Sequence, residues 1–232
     1  MVIESLSISE ISVHADASNF SSGVTKEEAY TQVLEQAEAL FDGQRNWYPS
    51  SAIVLSSSNF PVSTIHADYI NLSNTASLLW HAYKSLPSPS LEVNWAGFYT
   101  LDPSSPTNTL ILGPFQGKVA CQTISFARGV CGAAASTKST QLVPDVEQFP
   151  GHIACDAESQ RCVDLFRCLV FLLLALLWSL LVPAFEIVVP ILSNGSLKAI
   201  IDIDCAVKGG FDEVDKKWLE KLADLVGRSC DW

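Results

Sequence analysis

Three of the seven cysteines, Cys121, Cys131 and Cys155, lie within residues 112–156, a stretch rich in glycine and alanine. Thiols in such a setting can act as nucleophiles, as redox partners or as metal ligands. Gly129 and Gly132 flank Cys131, and residues 132–136 read as the first turn of a helix. A helix N-terminus favours the thiolate, so this position predicts a lowered pKa for Cys131.

A single cysteine is more often a small buried apolar residue than a nucleophile. The turn at residues 150–152, however, predicts that Cys155 lies in a mobile and reachable loop. Zinc is the main competitor for thiol catalysis. The sequence has no C-x-x-C pair, and His152 with Cys155 is the only close Cys/His pair. We therefore expect no bound metal, and we favour thiol catalysis.

Two carboxylates can complement the thiols. Asp202 and Asp204 alternate with isoleucines, so both side chains lie on one face of a predicted strand. Such a pattern is equally typical of a solvated sheet face. The apolar residues at 199–201 and 205–207 favour a pocket, in which an aspartate pair could bind the ammonium group of a substrate.

Helices and strands must position these residues. Thr25 and Glu28 form a capping-box signature at the start of a helix that ends near residues 42–43. Further helices are predicted at 74–85 and 212–230. Alternation and turn residues predict strands at 93–101, 109–112, 120–126, 141–143, 186–192 and 197–206. This pattern predicts an α+β domain with a mostly antiparallel sheet flanked by helices.

Composition narrows the function. With 232 residues the chain suits one domain. Its 25 acidic and 14 basic residues give a net charge of −11, which argues against binding to nucleic acid. The first residues show no cleavable signal, and seven is an odd number of cysteines. A reducing compartment fits best, so we expect a cytoplasmic protein.

Several uncommon motifs resemble, in order, those of the free methionine-R-sulfoxide reductase family, whose members are single GAF-type domains. The matching segments are 94–99, 112–121, 129–135, 151–156, 186–190 and 201–204. The resemblance implies a GAF-like fold and an enzyme that reduces free methionine-R-sulfoxide to methionine. It also implies substrate contacts by Trp95 and Tyr99, as an aromatic wall, and by Glu186, Asp202 and Asp204.

In the implied reaction, a thiolate attacks the sulfoxide sulfur while an acid protonates the oxygen, and a second thiol resolves the resulting sulfenic acid. We assign Cys155 as the nucleophile and Cys121 as the resolving thiol, with Cys131 as the alternative nucleophile. Glu186 is the candidate proton donor. The resemblance implies no bound cofactor, recycling by thioredoxin with electrons from NADPH, and a monomer or homodimer.

The sequence departs from the family pattern at two insertions, at about 48–70 and 161–185. We expect a mobile leader at 1–23 and a reductase domain at 24–232 that these insertions interrupt. Residues 168–185 form an apolar run with membrane-span character. A span there would separate Cys155 from Glu186, so we expect no membrane association. We interpret both insertions as translated intron-like sequence or as gene-model errors. The alternatives are a non-catalytic small-ligand sensor and an inactive or membrane-associated product of a mis-spliced transcript.

Overall fold

The computed structural model describes residues 19–21, 23–42, 68–102, 108–126, 128–149 and 185–232. Its main elements follow the chain in this order: α1 (Lys26–Phe41), α2 (Asp68–Ser85), β1 (Val93–Leu101), β2 (Thr109–Gly117), β3 (Thr123–Ser125), α3 (Gly129–Thr137), β4 (Gln141–Val143), β5 (Phe185–Ser193), β6 (Ser196–Cys205) and α4 (Glu213–Ser229). Single turns of 3-10 helix occupy Ser90–Glu92 and Val146–Gln148.

The strands form one sheet in the order β3-β2-β1-β6-β5-β4, and every neighbouring pair is antiparallel. The two longest strand pairs, β1 with β6 and β5 with β6, place β6 at the centre. The α+β class with an antiparallel sheet is confirmed. Because antiparallel partners project to the same side, the register decides which residues meet on each face.

Each face of the sheet carries its own core. On one face, residues such as Phe98, Ile187 and Ile201 are fully buried against α1, α2 and α4. On the other face, Tyr99, Val188 and Ile200 are buried together with residues of α3. The strands therefore have no solvated face over these positions. This removes the interpretation of alternating aspartates as residues that simply face water.

The first and last helices begin with matched caps. Thr25 accepts a hydrogen bond from the Glu28 amide, and Glu28 accepts one from the Thr25 amide at 2.8 Å, as the capping-box signature predicts. Asp212 and Asp215 form the equivalent arrangement at α4. Both helix starts are where the sequence places them to within one residue.

A buried polar network joins the helices on the core face. Asp215 is 0% exposed, and its carboxylate accepts a hydrogen bond from the Tyr30 hydroxyl at 2.9 Å and pairs with Lys26 at 2.5 Å. Tyr83 of α2 contacts both Tyr30 and Asp215 through its hydroxyl. The network therefore connects α1, α2 and α4.

Several predicted boundaries differ from the structure. Helix α2 begins at Asp68 instead of residue 74, so residues 68–70 of the predicted first insertion are helical. Strand β2 continues to Gly117, because its second half pairs with the start of β1 (Trp95 opposite Gly117). Strand β3 is only three residues long, so Cys121 precedes it in the loop after β2 and does not lie in a strand.

Some predictions lie outside the described residues. They are the leader apart from 19–21 and 23, the first insertion up to residue 67, and the second insertion up to residue 184, together with Cys155 and His152. Phe185, the last residue of the predicted second insertion, is the buried first residue of β5. No helix in the described ranges is long and apolar enough to cross a membrane.

Candidate active site

One row of side chains crosses the α3 face of the sheet. Asp204 on β6 is opposite Trp95 on β1 and also opposite Glu186 on β5. Val143 on β4 is opposite Glu186 and completes the row. Directly opposite residues on antiparallel strands have Cβ atoms about 5 Å apart, so an aromatic ring and two carboxyl groups are held side by side by strand pairing.

A second row crosses the same face of the sheet, two residues before Asp204 on β6. Asp202 is opposite Gly97 on β1 and Val188 on β5. The prediction that Asp202 and Asp204 share a strand face is confirmed, because they lie two residues apart on β6. Asp202 is only 6% exposed, and Asp204 is half-buried. The side chain that Gly97 lacks leaves space that Trp95 of β1 and Phe115 of β2 occupy.

Three stacked rings form the aromatic wall. Trp95 and Tyr99 have ring centroids 5.9 Å apart, as their spacing on one strand face predicts. Phe115 on β2 also stacks on Trp95, with centroids 5.4 Å apart and an angle of 12° between the planes. The Trp95 indole N–H donates to the Lys118 carbonyl oxygen at 3.0 Å. Sequence analysis missed Phe115, although its place in a segment matching the family was a usable signal.

Two glycines make room for the Trp95 ring. A Cβ on Gly97 would collide with Phe115 and would lie 2.7 Å from the Trp95 ring. Gly117 has φ +126°, and a Cβ there would lie 2.8 Å from the same ring and 2.7 Å from the Asn94 carbonyl oxygen. The position of the indole therefore depends on the missing side chains at 97 and 117.

Cys131 reaches the carboxyl groups from α3. Its Sγ donates to Oε1 of Glu186 at 3.4 Å, and the residue is 6% exposed. Burial, followed by the nearby charges of Asp202 and Glu186, raises the pKa of Cys131 well above its ordinary value. The predicted lowered pKa of Cys131 is wrong. Helix α3 begins at Gly129, and desolvation beside acidic groups outweighs the dipole of so short a helix.

The three carboxyl groups hold their protons unusually strongly. Burial, followed by the charges of Asp202 and Asp204, raises the pKa of Glu186 well above its ordinary value. Burial raises the pKa of Asp202 to about 7, and burial with the charge of Asp202 raises that of Asp204. A carboxyl group that is still protonated near neutral pH can donate a proton to a leaving oxygen.

The carboxyl cluster lacks a positive partner in the described part of the chain. Oδ1 of Asp202 is buried without a hydrogen-bond partner among the described residues. Ion pairs of Lys26 with Asp212 and Asp215, of Lys216 with Glu213, and of Arg228 with Glu38 lie elsewhere in the domain. The cluster is therefore suited to a cationic group that arrives from outside.

The structure brings together Cys131, Glu186, Asp202, Asp204, Trp95 and Tyr99 from the predicted set. Cys121 is half-buried in the loop that follows β2, next to Ala120, which packs against the same core. The position of Cys155 lies outside the described residues, so its predicted role and its pairing with Cys121 stay predictions.

A helix and loops cover one face of the curled antiparallel sheet, and helices from the N-terminal and C-terminal parts of the chain cover the other face. This arrangement defines a GAF-type domain. A solved structure described as a GAF domain matches with a TM-score of 0.71 and 46% identity, over 97% of this chain and 100% of that chain. The X-ray structure of free methionine-R-sulfoxide reductase from Neisseria meningitidis in complex with its substrate matches with a TM-score of 0.62 and 29% identity, over 91% and 93% of the two chains.

Sequence comparison gives the family. The free methionine-R-sulfoxide reductase of Saccharomyces cerevisiae is 49% identical over 218 residues, which cover 94% of this chain and 94% of that protein. No model of a known protein family matches the chain. The chain belongs to the free methionine-R-sulfoxide reductase family, and the predicted resemblance is confirmed.

Proposed function

We propose that this protein reduces free methionine-R-sulfoxide to methionine by cysteine chemistry. The observation that carries the proposal is the group of buried Glu186, buried Asp202 and half-buried Asp204 beside the stacked rings of Trp95 and Tyr99. Relatives that share the family are named for this activity, and one was solved with its substrate. Each part of the pocket has a counterpart in the substrate.

The substrate has a cationic amino group, a polar sulfoxide oxygen and an apolar methyl group. In the proposal, the aspartates bind the ammonium group, which neutralises a buried negative charge. The rings of Trp95 and Tyr99 accept the methyl and sulfur atoms, because sulfur packs favourably at about 5 Å from an aromatic ring. Glu186 then directs its proton to the sulfoxide oxygen.

The chemistry proceeds in three balanced steps. The Cys155 thiol attacks the sulfoxide sulfur, the oxygen takes up a proton, and methionine leaves while Cys155 becomes a sulfenic acid. The Cys121 thiol displaces water from the sulfenic acid and forms a disulfide. A dithiol protein, which we assign as thioredoxin with electrons from NADPH, reduces that disulfide. Cys131 stays the alternative nucleophile, but its raised pKa makes it the weaker candidate.

The proposed setting follows from the recycling step. A thioredoxin-coupled cycle needs a reducing compartment, so we place the protein in the cytoplasm. The proposal includes no bound cofactor and treats a monomer and a homodimer as equally compatible with the pocket. The insertions predicted at about 48–70 and 161–185, apart from the residues that lie in α2 and β5, are kept in the proposal as translated intron-like sequence or gene-model errors. Sequencing of the encoding transcript tests this directly.

A coupled assay tests the function. Purified protein, thioredoxin, thioredoxin reductase and NADPH are mixed with free methionine-R-sulfoxide, and NADPH consumption is followed. The assay is run on the full chain and on a form lacking residues 161–184, which keeps Phe185 at the start of β5. NADPH consumption that depends on the free R-sulfoxide is expected in the shortened form. Absence of turnover in both forms, with each folded by circular dichroism, would overturn the proposal.

A further inference from the structure

Three potential metal-ligating atoms meet in the carboxyl cluster. They are Sγ of Cys131 and one carboxylate oxygen each of Glu186 and Asp202, and they lie within 4.8 Å of one another. The three residues come from α3, β5 and β6, so the packing of separate elements holds the atoms together. All three residues are buried.

The carboxyl group of Asp202 has hydrogen-bond interactions with Cys131 and Glu186, but one of its two oxygens is left without a partner in the described part of the chain. Asp202 is only 6% exposed, and its Oδ1 has no hydrogen-bond partner among the described residues. A buried polar atom left without a partner costs about 1–3 kcal/mol. A cation bound between the three residues would satisfy this oxygen, and no lysine or arginine of the described segments pairs with it.

The distances suit a small tetrahedral ion. Zinc–sulfur bonds are about 2.3 Å and zinc–oxygen bonds about 2.0–2.2 Å, so tetrahedral sulfur and oxygen ligands lie about 3.5 Å apart. Sγ of Cys131 and Oε1 of Glu186 are 3.4 Å apart. The pair already has the required separation, and a carboxylate oxygen of Asp202 lies within 4.8 Å of both atoms. The fourth position would remain open for water.

We propose that Cys131, Glu186 and Asp202 form a binding site for a soft divalent cation of the zinc and cadmium class. The thiolate ligand disfavours magnesium and calcium, which prefer oxygen alone. On binding, the ion replaces the protons of the thiol and carboxylic acids, and these protons pass to solvent. The sequence spacing of cysteine and histidine did not predict this site, because two of its ligands are carboxylates from different strands.

The site has a consequence for activity, and this part alone rests on the proposed function. An ion held by Glu186 and Asp202 occupies the groups assigned to substrate, so zinc and free methionine sulfoxide exclude each other. Zinc therefore inhibits competitively with respect to the sulfoxide. The binding itself does not depend on any turnover.

Cobalt(II) is the probe for the test, because a bound thiolate produces a sulfur-to-cobalt charge-transfer absorption. The full chain is reduced, freed of metal and titrated with cobalt(II), and zinc(II) is then added to displace it. Glu186→Gln and Asp202→Asn leave every thiol in place, whereas Cys131→Ser removes the ligand sulfur. Cys205→Ser is the matched control, because Cys205 is buried in the core on the opposite face.

We expect each of the three ligand variants to bind cobalt(II) at least about tenfold more weakly than the wild type, since changes even to residues behind the ligands cost 10–100-fold. Cys205→Ser should bind as the wild type does. Circular dichroism identifies any variant that fails to fold, and the folded ones carry the comparison. Wild-type affinity in folded Glu186→Gln and Asp202→Asn would overturn the proposal, because other cysteines would then hold the metal.

The metal-site proposal and the functional proposal can be rejected independently of each other. Loss of cobalt binding in the ligand variants, together with absence of reductase turnover, would support the metal site and reject the function. Turnover that zinc inhibits without competition from substrate, with unchanged cobalt affinity in the ligand variants, would support the function and reject the metal site. Zinc inhibition that is competitive with the sulfoxide, and that is lost when metal binding is lost, supports both proposals.

Discussion

The Cys131 thiol on α3 donates a hydrogen bond to the Glu186 carboxyl group on β5, with Sγ and Oε1 3.4 Å apart. The contact joins the covering helix to the sheet beside the buried carboxyl group of Asp202. Because burial and neighbouring acidic groups raise the pKa of both residues, the thiol keeps its proton in this arrangement. A reacting thiolate is therefore better supplied by a cysteine other than Cys131.

Stability should depend on pH through Asp202. Its pKa is raised to about 7 from an ordinary 3.8, so its contribution to stability is full below about pH 4 and is lost as pH rises through about 7. Asp202→Asn removes the charge at every pH. The variant should gain stability relative to the wild type between pH 4.5 and 7.5, by roughly 2–4 kcal/mol. Urea unfolding at several pH values measures this difference.

The exposed Asp224 on α4 provides the control for that measurement. Asp224→Asn makes the same chemical change on the exposed face of α4, away from the carboxyl cluster. If the difference between Asp202→Asn and the wild type does not change with pH, the raised pKa of Asp202 is contradicted.

Substrate selection should depend on Asp204. A methionine inside a protein lacks the free amino group that the aspartates are proposed to bind. Asp204→Asn should raise KM for free methionine sulfoxide by the equivalent of about 1–3 kcal/mol, if the carboxylate pairs directly with the ammonium group. Steady-state kinetics with the free amino acid and with a sulfoxide inside a peptide check this. Equal wild-type activity on both substrates would contradict the assignment.

Phe115 should act as a positioning residue through Trp95. Phe115→Ala removes one of the two rings that stack on the indole, an interaction worth about 0.5–1.5 kcal/mol. We expect KM to rise roughly 3–10-fold while kcat changes little, because the thiols and Glu186 are untouched. Phe115→Tyr keeps the stacked ring and should restore KM. A fall in kcat at constant KM would show that Phe115 has a different role.

Single-turnover experiments should distinguish the roles of the three cysteines. Cys155→Ser should release no methionine. Cys121→Ser should release about one equivalent per chain but recycle slowly with thioredoxin, because the sulfenic acid forms and is not resolved. Mass spectrometry of the oxidised chain identifies any disulfide. If Cys131→Ser abolishes the first equivalent while Cys155→Ser preserves it, the nucleophile is Cys131.

Local sequence signals predicted much of the fold and part of the site. The cap at Thr25 and the alternation around Asp202 are short-range patterns, so a helix start and a shared strand face could be read from neighbouring residues. The stacking of Phe115 on Trp95 depends on how β1 and β2 align, which no local pattern fixes.

The wrong prediction for the pKa of Cys131 also arose because local sequence does not fix tertiary contacts. The glycines around it correctly suggested a helix start, but burial by β5 and β6 decides the protonation of the thiol. Asp215 is a second example. In the sequence it is an ordinary acidic residue in the first turn of a helix, whereas the structure buries it completely beside Tyr30.

The network around Asp215 has a consequence for how the domain assembles on the ribosome. The hydrogen bond from Tyr30 and the ion pair from Lys26 span 185 and 189 residues of sequence. Helix α1 is synthesised early, yet the acidic group that completes its buried surface appears only with α4. A nascent chain therefore carries the unpaired Tyr30 and Lys26 side chains until almost the whole domain has emerged, and shortened products lacking α4 are natural targets for chaperones and proteases.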